Sequence, residues 1–365
     1  MDRREVLAGA AMLSGALLGG EALAQAGRRS TRNFRRIATE EAFATPEFVE
    51  ACRDIVKAGW NSKDLDFWRG LLFRQNDPRL ADLLDLDQQR LATMDKQGID
   101  MQLLSLTSPG VQFFEPMTAT TLATTANDHL AEAIRRHPTR YAGLAAFAPQ
   151  DPKGAVKEME RAINGLKLNG FILNSHTNGE YMDDPKFRPI LEAAAALGPI
   201  YIHPRPLPDT IDGPYRDMGL WTAMWGFQVE TSLHALRILF SGAFDDFPDL
   251  KIVLGHMGEG IPYWLYRLDY MYPKMERMFT RKLKKKPSEY VKSNFIITTS
   301  GMNDHAALKY CVEVLGPRNV MWAIDYPYQE AEEATTFMNT APVSDEDKAL
   351  IFSGNAERVF KIAQS

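Results

Sequence analysis

The sequence predicts an α/β protein folded as a single (β/α)8 (TIM) barrel over residues 34–365. Three observations carry this reading. Eight short β-rich runs alternate with longer segments of helical period from residue 35 onward. Several runs, such as Ile200-Tyr201-Ile202 and Ile252-Val253-Leu254, are continuously apolar, as parallel strands covered on both faces are. Ionisable side chains gather where these runs end, the edge on which such a barrel carries its chemistry. A doubly wound open sheet is the competing architecture. No Gly-x-Gly-x-x-Gly and no P-loop follows any run, which removes the main reason to prefer it.

The first element is an address. Met1-Asp2-Arg3-Arg4 opens the chain, a small apolar run follows from Ala8 to Gly20, and Ala22-Leu23-Ala24-Gln25-Ala26 offers small residues for a signal peptidase. The arginine pair before a weakly hydrophobic core predicts a twin-arginine signal over residues 1–26, and hence a periplasmic protein exported after folding. An ordinary buried N-terminal helix is the alternative. The apolar run is too short for a membrane span, which takes about 20 residues.

The predicted strands then run Arg35–Phe43, Asp100–Leu106, Tyr141–Ala148, Gly170–His176, Pro199–Pro204, Lys251–Met257, Asn294–Ser300 and Asn319–Asp325. Helices are expected over 80–97, 119–137, 185–198 and 304–315. Asp151-Pro152 supplies a cap and a first-turn proline, with Ala155, Met159, Ala162 and Leu166 following at helical spacing. Val229, Leu233, Leu236 and Phe240 mark a second apolar face. Glu230, His234 and Arg237 fall on one face of that helix by spacing and read as a solvated charged face.

Composition narrows the function. Apolar residues at 45% and charged residues at 24% exclude global disorder. A net charge of −5 provides no broad basic surface for nucleic acid. The short basic run from Arg281 to Lys286 is too small to change that and reads as a solvated helix end. Cys52 and Cys311 can form neither a disulfide framework nor a thiolate metal site.

Three of the seven histidines close predicted strands, at His176, His203 and His256. Glu40, His203 and Asp325 together offer two oxygens and one nitrogen, a ligand set that leaves positions open for water or substrate. Its oxygen-rich character suits Mn2+ or Zn2+. The bland alternatives are a salt bridge from Glu40 to Arg35 or Arg36 and a satisfied core histidine at 203. His256 and Glu259, inside Gly255-His256-Met257-Gly258-Glu259-Gly260, read as an acid–base pair or as a local structural pair. His176 in Asn174-Ser175-His176-Thr177 reads equally well as structural.

These segments carry a resemblance. Arg36-Ile37-Ala38-Thr39-Glu40-Glu41-Ala42-Phe43, Leu106-Thr107-Ser108-Pro109-Gly110, Tyr201-Ile202-His203-Pro204, Gly255-His256-Met257-Gly258-Glu259, Pro262-Tyr263-Trp264-Leu265-Tyr266-Arg267 and Asp325-Tyr326-Pro327-Tyr328-Gln329 resemble the decarboxylase branch of the amidohydrolase superfamily. Within it the chain is most similar to the 5-carboxyvanillate decarboxylases, with gamma-resorcylate and 2,3-dihydroxybenzoate decarboxylases more distant. The resemblance implies a metal-dependent non-oxidative decarboxylase of an ortho-hydroxylated aromatic acid, with Glu40, His203 and Asp325 as metal ligands. It implies Asp325, His256 and Glu259 as the catalytic groups and Thr107, His176 and Tyr328 as substrate contacts. It also implies a homodimer or homotetramer whose arginines grip substrate carboxylates, Arg267 matching by position and Arg79 more loosely. Residues 205–220, the Gly301–His305 loop and the export signal depart from the vanillate enzymes and leave the ring substituents open. Metal-assisted hydrolysis of a lactone or amide, and a binding barrel without catalysis, are the competing readings.

Overall fold

Eight strands appear in the expected order in the computed structural model, which describes residues 34–59, 64–73 and 77–364. They are β1 (Ile37–Phe43), β2 (Met101–Leu106), β3 (Tyr141–Ala146), β4 (Gly170–Leu173), β5 (Ile200–Ile202), β6 (Ile252–Leu254), β7 (Phe295–Thr298) and β8 (Val320–Met321). Each pairs in parallel with the next, and every strand residue is buried. The ring is drawn shut between the first and last strands. Thr39 N and Oγ1 both donate to Trp322 O, at 3.2 and 2.8 Å, and Ala42 N donates to Tyr326 O at 2.8 Å. The predicted signal over residues 1–26 lies outside the described residues.

Most strands end sooner than the apolar runs suggested. Gly170–His176 shortens to Gly170–Leu173, and Asn319–Asp325 to Val320–Met321. The reason is local: the chain leaves the ladder to aim side chains into the barrel mouth, and Ser175, His256 and Asp325 take positive φ angles of 46°, 48° and 77°. β1 has an irregularity of its own. Ala38 pairs with Gln102 but Glu41 with Leu104, so one extra residue bulges between them. The bulge interrupts the period-two alternation and lets the adjacent Glu40 and Glu41 both be buried with separate partners.

The surrounding helices follow the predicted caps. Asp151 accepts from Gly154 N and starts the helix Pro152–Glu160 on its proline. Ala155, Met159 and Ala162 are buried as expected, while Leu166 is only half-buried beyond the helix end. The segment 80–97 breaks into Pro78–Leu84 and Gln89–Gln97, and 119–137 becomes Pro116–Arg136.

The helix Gly226–Phe240 corrects the sequence reading. Its buried face carries Glu230, Thr231, His234, Ala235, Ile238 and Leu239. Leu233 is exposed, and Val229, Leu236 and Phe240 are half-buried. Glu230 and His234 are therefore not solvated. Ser175 Oγ donates to Glu230 Oε1 at 2.8 Å and sits 3.0 Å from His234 Nδ1, while Met182 N donates to His234 Nε2 at 3.0 Å. Burial pushes the His234 imidazole down to about 3, so it stays neutral within this network. Arg237 alone faces outward, paired with Asp183 at 2.7 Å.

Candidate metal centre

Glu40, His203 and Asp325 come from β1 and from just beyond β5 and β8, and they meet at the mouth of the barrel. One ligand atom from each lies within 4.8 Å of the other two. His203 Nε2 is 3.6 Å from Glu40 Oε1 and 3.8 Å from Asp325 Oδ1. Those two carboxylate oxygens are buried and have no hydrogen-bond partner. Leaving a charged oxygen buried and unpaired is costly, and a cation seated between them and the imidazole removes that cost. The donor set of two carboxylate oxygens and one nitrogen fits a divalent ion with open positions.

The neighbours aim these atoms. The hydroxyls of Tyr201, Thr298 and Ser300 all donate to Glu40 Oε2, which fixes the carboxylate and leaves Oε1 free. Glu40 thus finds hydroxyl partners inside the barrel in place of the arginine pairing considered from sequence. Gly255 makes the room: a Cβ there would stand 2.7 and 2.8 Å from the two Glu40 oxygens. His203 Nδ1–H donates to Pro204 O at 2.8 Å, so the lone pair of Nε2 points at the centre. Burial by itself would lower the His203 imidazole, yet Asp325 and Glu40 overcome it and raise the ring above its usual value. The same pull would hold a metal cation.

His256 and Glu259 stand beside this centre in a run of left-handed residues from His256 to Gly260, with φ between 48° and 77°. Each non-glycine residue there costs about 1 kcal/mol or more, a strain of the kind stored at functional sites. His256 Nδ1–H donates to Glu259 Oε1 at 2.8 Å, and His256 Nε2 lies 3.9 Å from Asp325 Oδ2. Burial works against a charged His256, but Glu259, Glu40 and Asp325 hold the ring well above its usual value. Asp325 shows the converse. Burial raises its carboxyl, while the nearby imidazoles of His203 and His256 outweigh that and leave it below the usual carboxylate range.

A cavity of about 350 Å3 opens on these groups, lined among others by Arg79, His203, His256, Asp325, Tyr328 and Gln329. Phe227 and Met224 give it an apolar side and Gln228 a polar one. Tyr328 reaches the cavity with its hydroxyl 2.6 Å from Thr107 Oγ1, which is buried behind it. Arg79 is paired with Asp77 through Nε and Nη2 at 2.9 and 2.6 Å. His176 is not brought to the cavity lining. Its Nε2–H donates to Pro206 O at 2.9 Å and its Nδ1 accepts from Gly179 N at 3.1 Å, both within the protein. Arg267 is exposed on the helix Ile261–Met275, outside the lining of this cavity. Sequence reasoning missed Tyr201 and Thr298, which read as strand core, and the glutamines Gln228 and Gln329.

The amidohydrolase family model matches residues 67–362. The chain belongs to the amidohydrolase family. The match begins beyond Glu40, so the place of Glu40 in the candidate centre of this amidohydrolase rests on geometry. The 5-carboxyvanillate decarboxylase of Sphingomonas paucimobilis superposes on this amidohydrolase with a TM-score of 0.88 and 50% identity, over 91% of this chain and 100% of that one. A second 5-carboxyvanillate decarboxylase, from Novosphingobium aromaticivorans, is complexed with manganese and 4-hydroxy-3-methoxy-5-nitrobenzoic acid. It is 42% identical, with a TM-score of 0.87 over 90% of this chain and 96% of that one. The gamma-resorcylate decarboxylase of a Polaromonas species is 35% identical over 338 residues, 90% of this chain and 98% of its own.

Proposed function

We propose that this amidohydrolase is a metal-dependent, non-oxidative decarboxylase of hydroxylated aromatic acids such as 5-carboxyvanillate or 2,6-dihydroxybenzoate. The observation that carries the reading is the convergence of two unpartnered buried carboxylate oxygens and one imidazole nitrogen at an aromatic-sized cavity. The similarity to decarboxylases over nearly the whole chain supports it. A divalent cation, manganese by analogy with the relatives' complexes, supplies Lewis acidity toward an adjacent hydroxyl and carboxylate pair.

The residues do the rest. Asp325 delivers its proton to the ring carbon that bears the carboxylate, forming a C–H bond at the expense of aromaticity. The C–C bond then breaks, its electron pair returns to the ring, and carbon dioxide leaves. His203 and His256 hold the Asp325 carboxyl below its usual range, so it rests ionised and must take up a proton before each transfer. His256, oriented by Glu259, polarises the phenol and returns a proton toward Asp325, 3.9 Å away. Arg79 meets a substrate carboxylate at the cavity wall, and Tyr328 with Thr107 behind it contacts the ring substituents.

A panel of hydroxybenzoates and carboxyvanillates, assayed for carbon dioxide with Mn2+ supplied, tests the reaction. Release from at least one member, abolished by a chelator and restored by Mn2+, is expected. Ring-intact acids left untouched while a lactone or amide is cleaved would move the protein to the hydrolases.

We also propose periplasmic export through residues 1–26, on the strength of Arg3-Arg4, the weakly apolar run and the small residues to Ala26. Arg267 is assigned to the cavity of a neighbouring copy in a homodimer or homotetramer. It is exposed on one helix beside Tyr263, Trp264 and Tyr266, which are 71%, 56% and 78% exposed, large aromatic side chains of the kind that mark contact surfaces. Sizing the periplasmic fraction and sequencing its N-terminus tests both points. An oligomer beginning near residue 27 is expected, and a cytoplasmic monomer with Met1 intact would overturn them.

A further inference from the structure

The main chain around Asp325 is held in an unusual way. Asp325 has a φ of 77°, the left-handed region that side-chain-bearing residues avoid. The regular part of β8 ends at Met321, so the amides that follow need acceptors from outside the ladder. Ala323 N donates to Thr299 Oγ1 at 3.1 Å, and two more share a single side chain. Ile324 N donates to Glu41 Oε1 at 3.0 Å and Tyr326 N donates to Glu41 Oε2 at 3.2 Å. One carboxyl therefore takes the amides on both sides of Asp325.

Glu41 is itself fixed. It is fully buried on β1, just past the bulge that separates its direction from that of Glu40. On its far side Arg90, also fully buried, donates to Ala42 O at 2.7 Å and lies 4.8 Å above the Tyr326 ring. Ala42 N donates to Tyr326 O at 2.8 Å. Glu41 and its neighbours thus tie the end of β1 to the turn that presents Asp325. No cavity-lining role is open to Glu41, since it is absent from that lining.

We infer that Glu41 is a positioning residue: by accepting the Ile324 and Tyr326 amides it holds Asp325 in its left-handed turn and aims the Asp325 carboxylate at the metal centre. The inference rests on the reading of Asp325 as ligand and proton donor. What it requires is two acceptor oxygens at the spacing of those amides. Glutamine supplies only one, and its NH2 would face the other N–H. Aspartate keeps both oxygens but falls one methylene short.

The test uses the full chain with Glu41→Gln and Glu41→Asp, read by Mn2+ titration, steady-state carbon dioxide release and thermal unfolding. Both variants are expected to bind Mn2+ about 10- to 100-fold more weakly, the range for partners that orient a metal ligand. Their kcat falls at saturating Mn2+ while KM stays near the parent value. A purely structural role would lower the melting temperature and leave the Mn2+ affinity and kcat of the folded fraction at parent values, and that outcome overturns the inference. A parent that binds Mn2+ but releases no carbon dioxide overturns the proposed reaction instead, and the Mn2+ titration of the variants still decides the role of Glu41.

Discussion

Asp325→Asn is expected to stop carbon dioxide release while the protein stays folded and still takes up Mn2+. Asparagine keeps an oxygen where Oδ1 now faces His203 Nε2 at 3.8 Å, so one ligand position survives in weakened form. What is lost is the proton. An amide cannot hand one to a ring carbon, and the removal of a positioned acid costs about 100- to 10,000-fold in rate. Asparagine also tolerates the left-handed backbone better than most residues, which protects the turn with its φ of 77°. Turnover at saturating Mn2+ and substrate, beside a Mn2+ titration, is the measurement. Parent-like turnover would mean that the proton comes from elsewhere, with His256 the next candidate by position.

Gly255→Ala should disable the centre by a different route. Gly255 has φ −69° and ψ −173°, a conformation alanine adopts without strain, so the backbone offers no objection. The methyl group does. It would sit 2.7 and 2.8 Å from the Glu40 oxygens and 3.0 Å from Ser300 Oγ, and Glu40 is already held under the hydroxyls of Tyr201, Thr298 and Ser300. The carboxylate must yield, and with it the free Oε1. A loss of Mn2+ affinity of about 10- to 100-fold is expected, together with about 1–3 kcal/mol of stability from overpacking. An unchanged Mn2+ affinity would show that Glu40 can move aside without leaving the centre.

The legible part of this molecule is what an apolar strand advertises when it ends on an ionisable group. His203 after Ile200-Tyr201-Ile202 and Asp325 after Val320-Met321-Trp322-Ala323-Ile324 could be picked out that way, since an unpaired charge at such a position is too costly to be idle. Glu40 followed from a related cost, that of a carboxylate inside a buried strand. Tyr201 did not, because a tyrosine between two isoleucines has the look of core filling and only three dimensions place its hydroxyl on Glu40. The helix Gly226–Phe240 misled for a related reason. Its leucines and valine suggested one buried face, but the Ser175, Glu230 and His234 network won that face by satisfying its own polar groups inside. The bulge in β1 was equally silent, being a matter of pairing with β2. Arg267 marks another boundary, since a side chain exposed on a single chain has its meaning, if any, on a neighbour.

The seam between β1 and β8 has a consequence for how the protein is made. Two of the three ligands sit on either side of that join and the third lies across the ring from it, so no fragment of the chain owns a binding site. An ion captured there acts as a clasp on the closed ring. By mass action it favours the finished barrel by about 2.7 kcal/mol when free ion stands at 100 times its dissociation constant. Loading and completion of the barrel are thereby linked, each favouring the other.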